Sequence, residues 1–322
     1  MNKFFTMSMA LSMGLALCAC DAGPEDIQDE SSEGADARIG NNSGGYRFNT
    51  NKVGDKAFAA LHGYYKEYRD NQLHGVTLHV KELEVKCERV WAEKSELHCR
   101  DFEGQIWSNW AFEGSVWKLN LRGDDEALVI GDMTHDGNVW LYRFNDFASG
   151  PDKVPACDED VDNPGNFWSV ALNDLDLNED GKVFEEKDLV YLACTSGSTG
   201  KTVERMGITP WDHGLAQYNA GVYMTMLAPC GDRNSMTEPG TPLRLYDMYG
   251  INNFGPGIPN TSEGVWGPEG MVCSGKKLRT NVLVTDPIEC PGGYKIPICS
   301  DHELKDILVS EPDVNLWTKP KA

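Results

Sequence analysis

Residues 76–85 read VTLHVKELEV, and residues 106–121 read IWSNWAFEGSVWKLNL. In the first stretch Val76, Leu78 and Val80 alternate with Thr77, His79 and Lys81, the period of a strand with one buried and one wet face. The second is rich in tryptophan and broken by Gly114, which suits two short strands around a turn. The same texture returns at Val139–Phe144 (VWLYRF), then in short runs at Val190–Ala193, Val222–Leu227 and Leu243–Tyr246. Turn clusters separate them: Arg122-Gly123-Asp124, His135-Asp136-Gly137 and Glu179-Asp180-Gly181. Many short strands on short connections predict a mainly β fold, a disulfide-stapled sandwich or barrel-like body. Two short helices are expected beside it. One is capped by Asp55, with Phe58, Leu61, Tyr65 and Tyr68 on one face. The other spans Ser300–Val309, with Ser300 and Glu303 spaced as a capping box.

Composition bounds the partners. The chain has 322 residues, 40% of them hydrophobic, and 33 glycines, so a substantial core can be built. Fifty acidic residues against 29 basic ones give a net charge of −21. Such a chain is repelled by phosphate backbones, which excludes nucleic acid as an expected partner.

Outward toward the N-terminus, Phe4–Leu17 is an uncharged run of signal-peptide length after Lys3, too short to span a bilayer. It ends in Leu17-Cys18-Ala19-Cys20, which resembles the lipobox of bacterial lipoproteins. The expectation is a signal peptide over 1–19, lipidation of Cys20 and tethering to the membrane by that lipid. An ordinary cleaved signal peptide is the competing reading. Residues 20–54 are acidic and poor in large apolar side chains at their start, and read as a flexible stalk. An N-terminal β-rich region is expected over 55–145 and a second region over 146–322. The protein is therefore expected in the cell envelope, with the leaflet and the membrane left open.

With Cys18 in the signal and Cys20 lipidated, Cys87, Cys99, Cys157, Cys194, Cys230, Cys273, Cys290 and Cys299 remain. An even number in an exported chain points to disulfides, and no pair has the close spacing of a zinc site. Cys87 and Cys99 flank a connection able to turn back as a hairpin, and Cys290 and Cys299 enclose the turn-forming Pro291-Gly292-Gly293. Both are expected pairs.

Several segments imitate chemical motifs. Thr195–Thr202 (TSGSTGKT) resembles an adenylate-forming signature and a P-loop, but an exported protein meets essentially no nucleotide. No helix is evident after it, so it reads as a β-turn loop and no nucleotide is expected. Asp176, Asn178 and Asp180, followed by Gly181, carry the first oxygen ligands of a calcium loop. Position twelve is Lys187 where a bidentate acid belongs, so calcium is the one cofactor to test and a hairpin turn explains the same letters. His135-Asp136 and Asp212-His213 are adjacent pairs, yet neighbours on a strand face opposite ways. They read as turn residues, and no catalytic residue is assigned. Trp107, Trp110, Phe112 and Trp117 fit core packing better than a sugar-stacking face.

From Val154 to Cys273 the order of landmarks is similar to that of the ADYC-domain proteins, a group of exported bacterial proteins. The matching steps are Pro155-Ala156-Cys157, Leu192-Ala193-Cys194-Thr195, Met206–Trp211 (MGITPW), Leu227–Asp232 (LAPCGD), Thr237–Asp247 (TEPGTPLRLYD) and Gly264–Cys273 (GVWGPEGMVC). The signature tetrapeptide keeps only Cys230, and two family cysteines fall on Thr202 and Gly221. The resemblance implies the pairs Cys157–Cys194 and Cys230–Cys273, an exported setting and no reaction. Three functions are thus expected to compete: a non-catalytic envelope lipoprotein with a binding or structural role, an exported hydrolase acting on envelope carbohydrate, and a calcium-dependent adhesion module. Two carboxylates in a cleft beside a tryptophan would favour the hydrolase.

Overall fold

In the computed structural model, the described residues are 47–48, 50, 71–121, 123–137, 139–148, 154–247, 251–252, 262–299 and 316–320. Cys20, the stalk and both expected helices at 55–68 and 300–309 lie outside them. All described residues belong to one unit spanning 35–322.

Alternation does produce strands. The first sheet holds nine: β2 (Asn71–Val80), β3 (Leu83–Glu93), β4 (Glu96–Asp101), β5 (Ile106–Ser108), β6 (Val116–Leu121), β7 (Asp124–Asp136), β8 (Val139–Asp146), β9 (Ser169–Leu177) and β10 (Val183–Cys194). Their order is β10-β9-β8-β7-β6-β2-β3-β4-β5, every pairing antiparallel. The sheet crosses residue 145 without a break. It also curls on itself: Leu97 N–H of β4 donates to Tyr142 Oη of β8 at 2.9 Å, and Ala92 N–H of β3 to Asn173 Oδ1 of β9 at 3.2 Å. Inside the curl Leu78, Val90, Leu97, Phe112, Trp117, Ile130, Tyr142 and Phe144 pack together. Trp117 of β6 is therefore core, as the alternation requires, and Phe112 is core from the short turn before it, whereas Trp110, expected to pack with them, is exposed.

Strands β8 to β10 bury both faces. Tyr142, Ala171, Val190 and Leu192 point into the curl, while Leu141, Val170, Leu172, Tyr191 and Ala193 point outward. The outward side chains pack under two helices, α1 (Ser198–Glu204) and α2 (Pro210–Met226), through Val203, Tyr218 and Val222. The far side of α2 packs on a second sheet through Tyr223, Met224 and Met226. That sheet is β1 (Arg47–Phe48), β11 (Pro242–Asp247), β12 (Gly264–Gly267), β13 (Gly270–Ser274) and β16 (Leu316–Pro320), in the order β1-β11-β16-β12-β13. A hairpin of β14 (Ile288–Glu289) and β15 (Lys295–Ile296) completes the set.

Both helices correct sequence expectations. Val222–Leu227 reads as a strand but forms the end of α2, because a short apolar run does not distinguish a strand from a helix buried all round. Residues 217–226 are all buried. The TSGSTGKT segment is not a plain loop, since its last five residues start α1. Gly200 is needed there for close packing: a Cβ on it would lie 2.3 Å from Cys194 O. At the start of α2, Thr209 caps the helix by accepting from Asp212 N–H at 3.3 Å, with Pro210 at the first helical position.

Among the described residues there are four disulfides. Cys87–Cys99 joins β3 to β4 and Cys157–Cys194 ties a loop to the end of β10, as expected. The expected Cys230–Cys273 and Cys290–Cys299 are replaced by Cys230–Cys290 and Cys273–Cys299. The reason is local. The Pro291–Gly293 turn closes between Cys290 N–H and Tyr294 O at 2.8 Å, and Cys299 runs on beside β13, its N–H donating to Ser274 O at 2.8 Å. Cys299 is thereby carried next to Cys273 and away from Cys290.

Candidate functional site

A break in the β9–β10 ladder opens a cleft. Glu185 pairs with Leu175, but the next register pair is Val190 with Asn173, so β10 carries extra residues at Glu186–Leu189. Bulges re-aim side chains and bend the strand. Here the bend places Asp174 and Asp188 in the left-handed region, at φ 54° and 61°. Asp188 N–H donates to Asp174 Oδ1 at 2.8 Å, which holds the distorted loop. The neighbouring β3–β4 turn, Lys94-Ser95, has positive φ at both residues, as a two-residue hairpin demands. On the opposite side Gly214 interrupts the first turn of α2 at φ 79°.

Together these irregularities enclose about 580 Å³, within the range of small-molecule sites. Leu172, Leu175, Pro210 and Leu215 supply apolar wall, Asp174 and Glu185 two carboxylates, and Lys94 and Lys187 two ammonium groups. Ser95, Asn173 and an indole complete the polar lining. Trp211 lines the cleft, and its Nε1 is buried with no hydrogen-bond partner. Buried donors are nearly always paired, and this one has no acceptor within the fold. The charges of the lining balance, in contrast to the −21 of the whole chain.

The residues singled out in the sequence lie elsewhere. Asp176, Asn178 and Asp180 sit at the β9–β10 hairpin, where Asn178 Oδ1 accepts from Asp180 N–H at 3.0 Å and Lys182 N–H at 2.8 Å. That oxygen serves the turn. Among the described residues no group of three or more His, Cys, Asp or Glu is arranged to hold a metal. Asp212 and His213 are committed to the α2 N-terminus, with Thr209 N–H donating to His213 Nδ1 at 3.1 Å and Thr209 Oγ1 to Asp212 Oδ2 at 3.1 Å. His135 faces Trp140, with ring centroids 4.8 Å apart.

Lys201, the lysine of the P-loop look-alike, is fully buried and bonded to carboxylates. Its Nζ is 2.9 Å from Asp160 Oδ1 and 2.5 Å from Asp162 Oδ2. Arg205 Nη2 reaches Asp160 Oδ2 at 2.5 Å and Arg205 Nε reaches Glu204 Oε2 at 3.2 Å. Burial pushes the Glu204 carboxyl above its usual range, partly offset by Arg205. The cluster pins the 157–168 loop to α1. A second buried pair, Arg279 with Glu263 at 2.6 Å, joins Thr318 of β16 and Met224 O of α2, and so ties the helix to the second sheet.

Trp211, Asp174 and Glu185 carried no site signal in the sequence; Trp211 appeared only at the end of the MGITPW step. A family model described as ADYC domain matches residues 109–280, just over half of the chain. The match spans both helices, the bulge and every cleft residue except Lys94 and Ser95. Searches of curated proteins and of solved structures find no match.

Proposed function

The chain belongs to the ADYC domain family, and from that premise we propose that it is a lipid-anchored protein of the bacterial cell envelope whose body binds a ligand, without chemistry, in the cleft beneath Trp211. Four disulfides fit an oxidising compartment. The leader and the Leu17–Cys20 step supply the export and anchoring signals, and among the described residues no helix is long and apolar enough to cross a membrane. The observation that carries the binding role is the Trp211 indole in the wall of a charge-balanced cleft. A binding role also suits a rigid site, and this one is framed by a bulge, a tight hairpin and a capped helix start.

Two experiments separate the parts. Cys20→Ala should move the protein out of the membrane fraction and abolish fatty-acid labelling; unchanged partitioning defeats the anchor. Envelope polysaccharide titrated calorimetrically into the full-length protein should bind, and Trp211→Ala should weaken that binding at least tenfold, about 1.4 kcal/mol. Equal binding by the variant removes the cleft from the account.

One observation favours a second reading, an exported hydrolase of envelope carbohydrate: Asp174 and Glu185 both line the cleft. New reducing ends released from the same polysaccharide, and lost in Asp174→Asn, would establish it over the binding role.

A further inference from the structure

A second aromatic feature adjoins the cleft. The 3-10 turn Asn109–Phe112 buries Phe112 completely and leaves Trp110 56% exposed. Trp110 meets Trp140 of β8 edge-on, with centroids 5.3 Å apart, and Trp140 also meets His135. The three rings form a ledge. Its link to the cleft is Ser95, a cleft-lining residue whose Oγ accepts from the backbone N–H of Trp140 at 2.8 Å and whose carbonyl accepts from Tyr142 Oη at 3.0 Å. The Lys94-Ser95 turn thus lines the cleft together with Trp211 and is fixed to β8, the strand that carries Trp140.

Resting on the binding role of the cleft, we propose that the ligand is an uncharged polysaccharide chain, seated in the cleft beside Trp211 and extending over the Lys94-Ser95 turn onto the Trp140–Trp110 ledge. Three properties point to this occupant. Sugar rings present C–H faces that pack on indoles and hydroxyls that satisfy donors and acceptors at once. The cleft lining holds both kinds: the Lys94 ammonium donates, and the Asp174 and Glu185 carboxylates accept. Two lysines balance two carboxylates in the lining, so no net charge is asked of the ligand, and a chain of −21 repels polyanions. Two aromatic platforms linked through one turn suit a repeating polymer better than a single ring.

The test is calorimetric titration of the full-length protein with β-linked neutral oligosaccharides, glucose and N-acetylglucosamine series, from monomer to hexamer. Affinity should rise with length. Trp110→Ala, a substitution at an exposed position that leaves the melting temperature unchanged, should lower hexamer affinity about tenfold and leave the shortest binding oligomer unaffected. Trp211→Ala should weaken every length. Equal hexamer affinity in Trp110→Ala with weakened binding in Trp211→Ala would overturn the ledge and leave the cleft standing. Binding by neither series, alongside Trp211-dependent binding of envelope polysaccharide, would overturn the uncharged glycan. Loss of Trp211 dependence for every ligand would overturn the cleft itself.

Discussion

Replacing Lys201 with methionine should destabilise the fold by roughly 3–5 kcal/mol, the usual cost of removing one partner of a buried ion pair. The geometry identifies the group left stranded. Asp160 keeps Arg205 at 2.5 Å, but Asp162 is 3.8 Å from the nearest Arg205 nitrogen and depends on Lys201 at 2.5 Å. Asp162 is 4% exposed, so water does not replace the lost cation. For a domain of this size each kcal/mol lowers the melting temperature by about 2–4 °C, so a fall of roughly 6–20 °C is expected by circular dichroism at neutral pH. Adding Asp162→Leu should recover part of it, because an apolar pair replaces an unpaired charge. ATP should leave the melting of the unsubstituted protein unchanged. Melting of Lys201→Met within a degree or so of the parent, or an ATP-induced rise abolished by the substitution, would refute the structural role of this lysine and return the segment to nucleotide chemistry.

The remaining predictions concern the staples, the pH response and calcium. Non-reducing peptide mapping should find Cys230–Cys290 and Cys273–Cys299; a Cys230–Cys273 peptide would contradict the arrangement. The Cys230–Cys290 bridge closes 60 residues and Cys87–Cys99 only 12, so chain entropy gives about 4 and about 3 kcal/mol respectively. Removing the Cys230–Cys290 pair should therefore cost more. Burial raises the Glu204 carboxyl above its unfolded value, so the folded state holds that proton more tightly. Its contribution is complete below the ordinary glutamate range and is lost as pH climbs through the raised value. Glu204→Gln should flatten that part of a melting profile taken across roughly pH 4–8, and a parallel slope in the variant would assign the dependence elsewhere. Calcium should leave the melting temperature unchanged, since Asn178 Oδ1 is bonded to two amides of its own turn; a rise of several degrees would revive the adhesion module.

The β architecture was legible because strands such as β2 carry their burial in a period of two. Hairpin cysteines were legible for the same reason, since Cys87 and Cys99 are brought together by one local turn. What failed was information that resides in tertiary packing. Val222–Leu227 looks like a strand because a helix buried between two sheets has no polar stripe there. Cys230, Cys273, Cys290 and Cys299 were mispaired because their partners depend on where residues after β15 lie against β13. The cleft was least legible of all. Asp174 and Glu185 reach it only through a slip in the β9–β10 register, and Trp211 only through packing of α2 against that slip. The Asp176–Asp180 and Thr195–Thr202 letters, by contrast, looked chemical because turns and tight helix packing use the same Asn, Asp, Gly and Ser that ligand loops use.

The claim that the cleft binds the ligand is tested most directly by hydrogen exchange of the full-length protein, followed by mass spectrometry with and without saturating envelope polysaccharide. The account predicts slowed exchange in peptides covering residues 93–97, 172–176, 185–189 and 210–216, with smaller protection around 109–112 and 139–141. Protection confined to other surfaces, or none in those peptides while calorimetry reports binding, would contradict it.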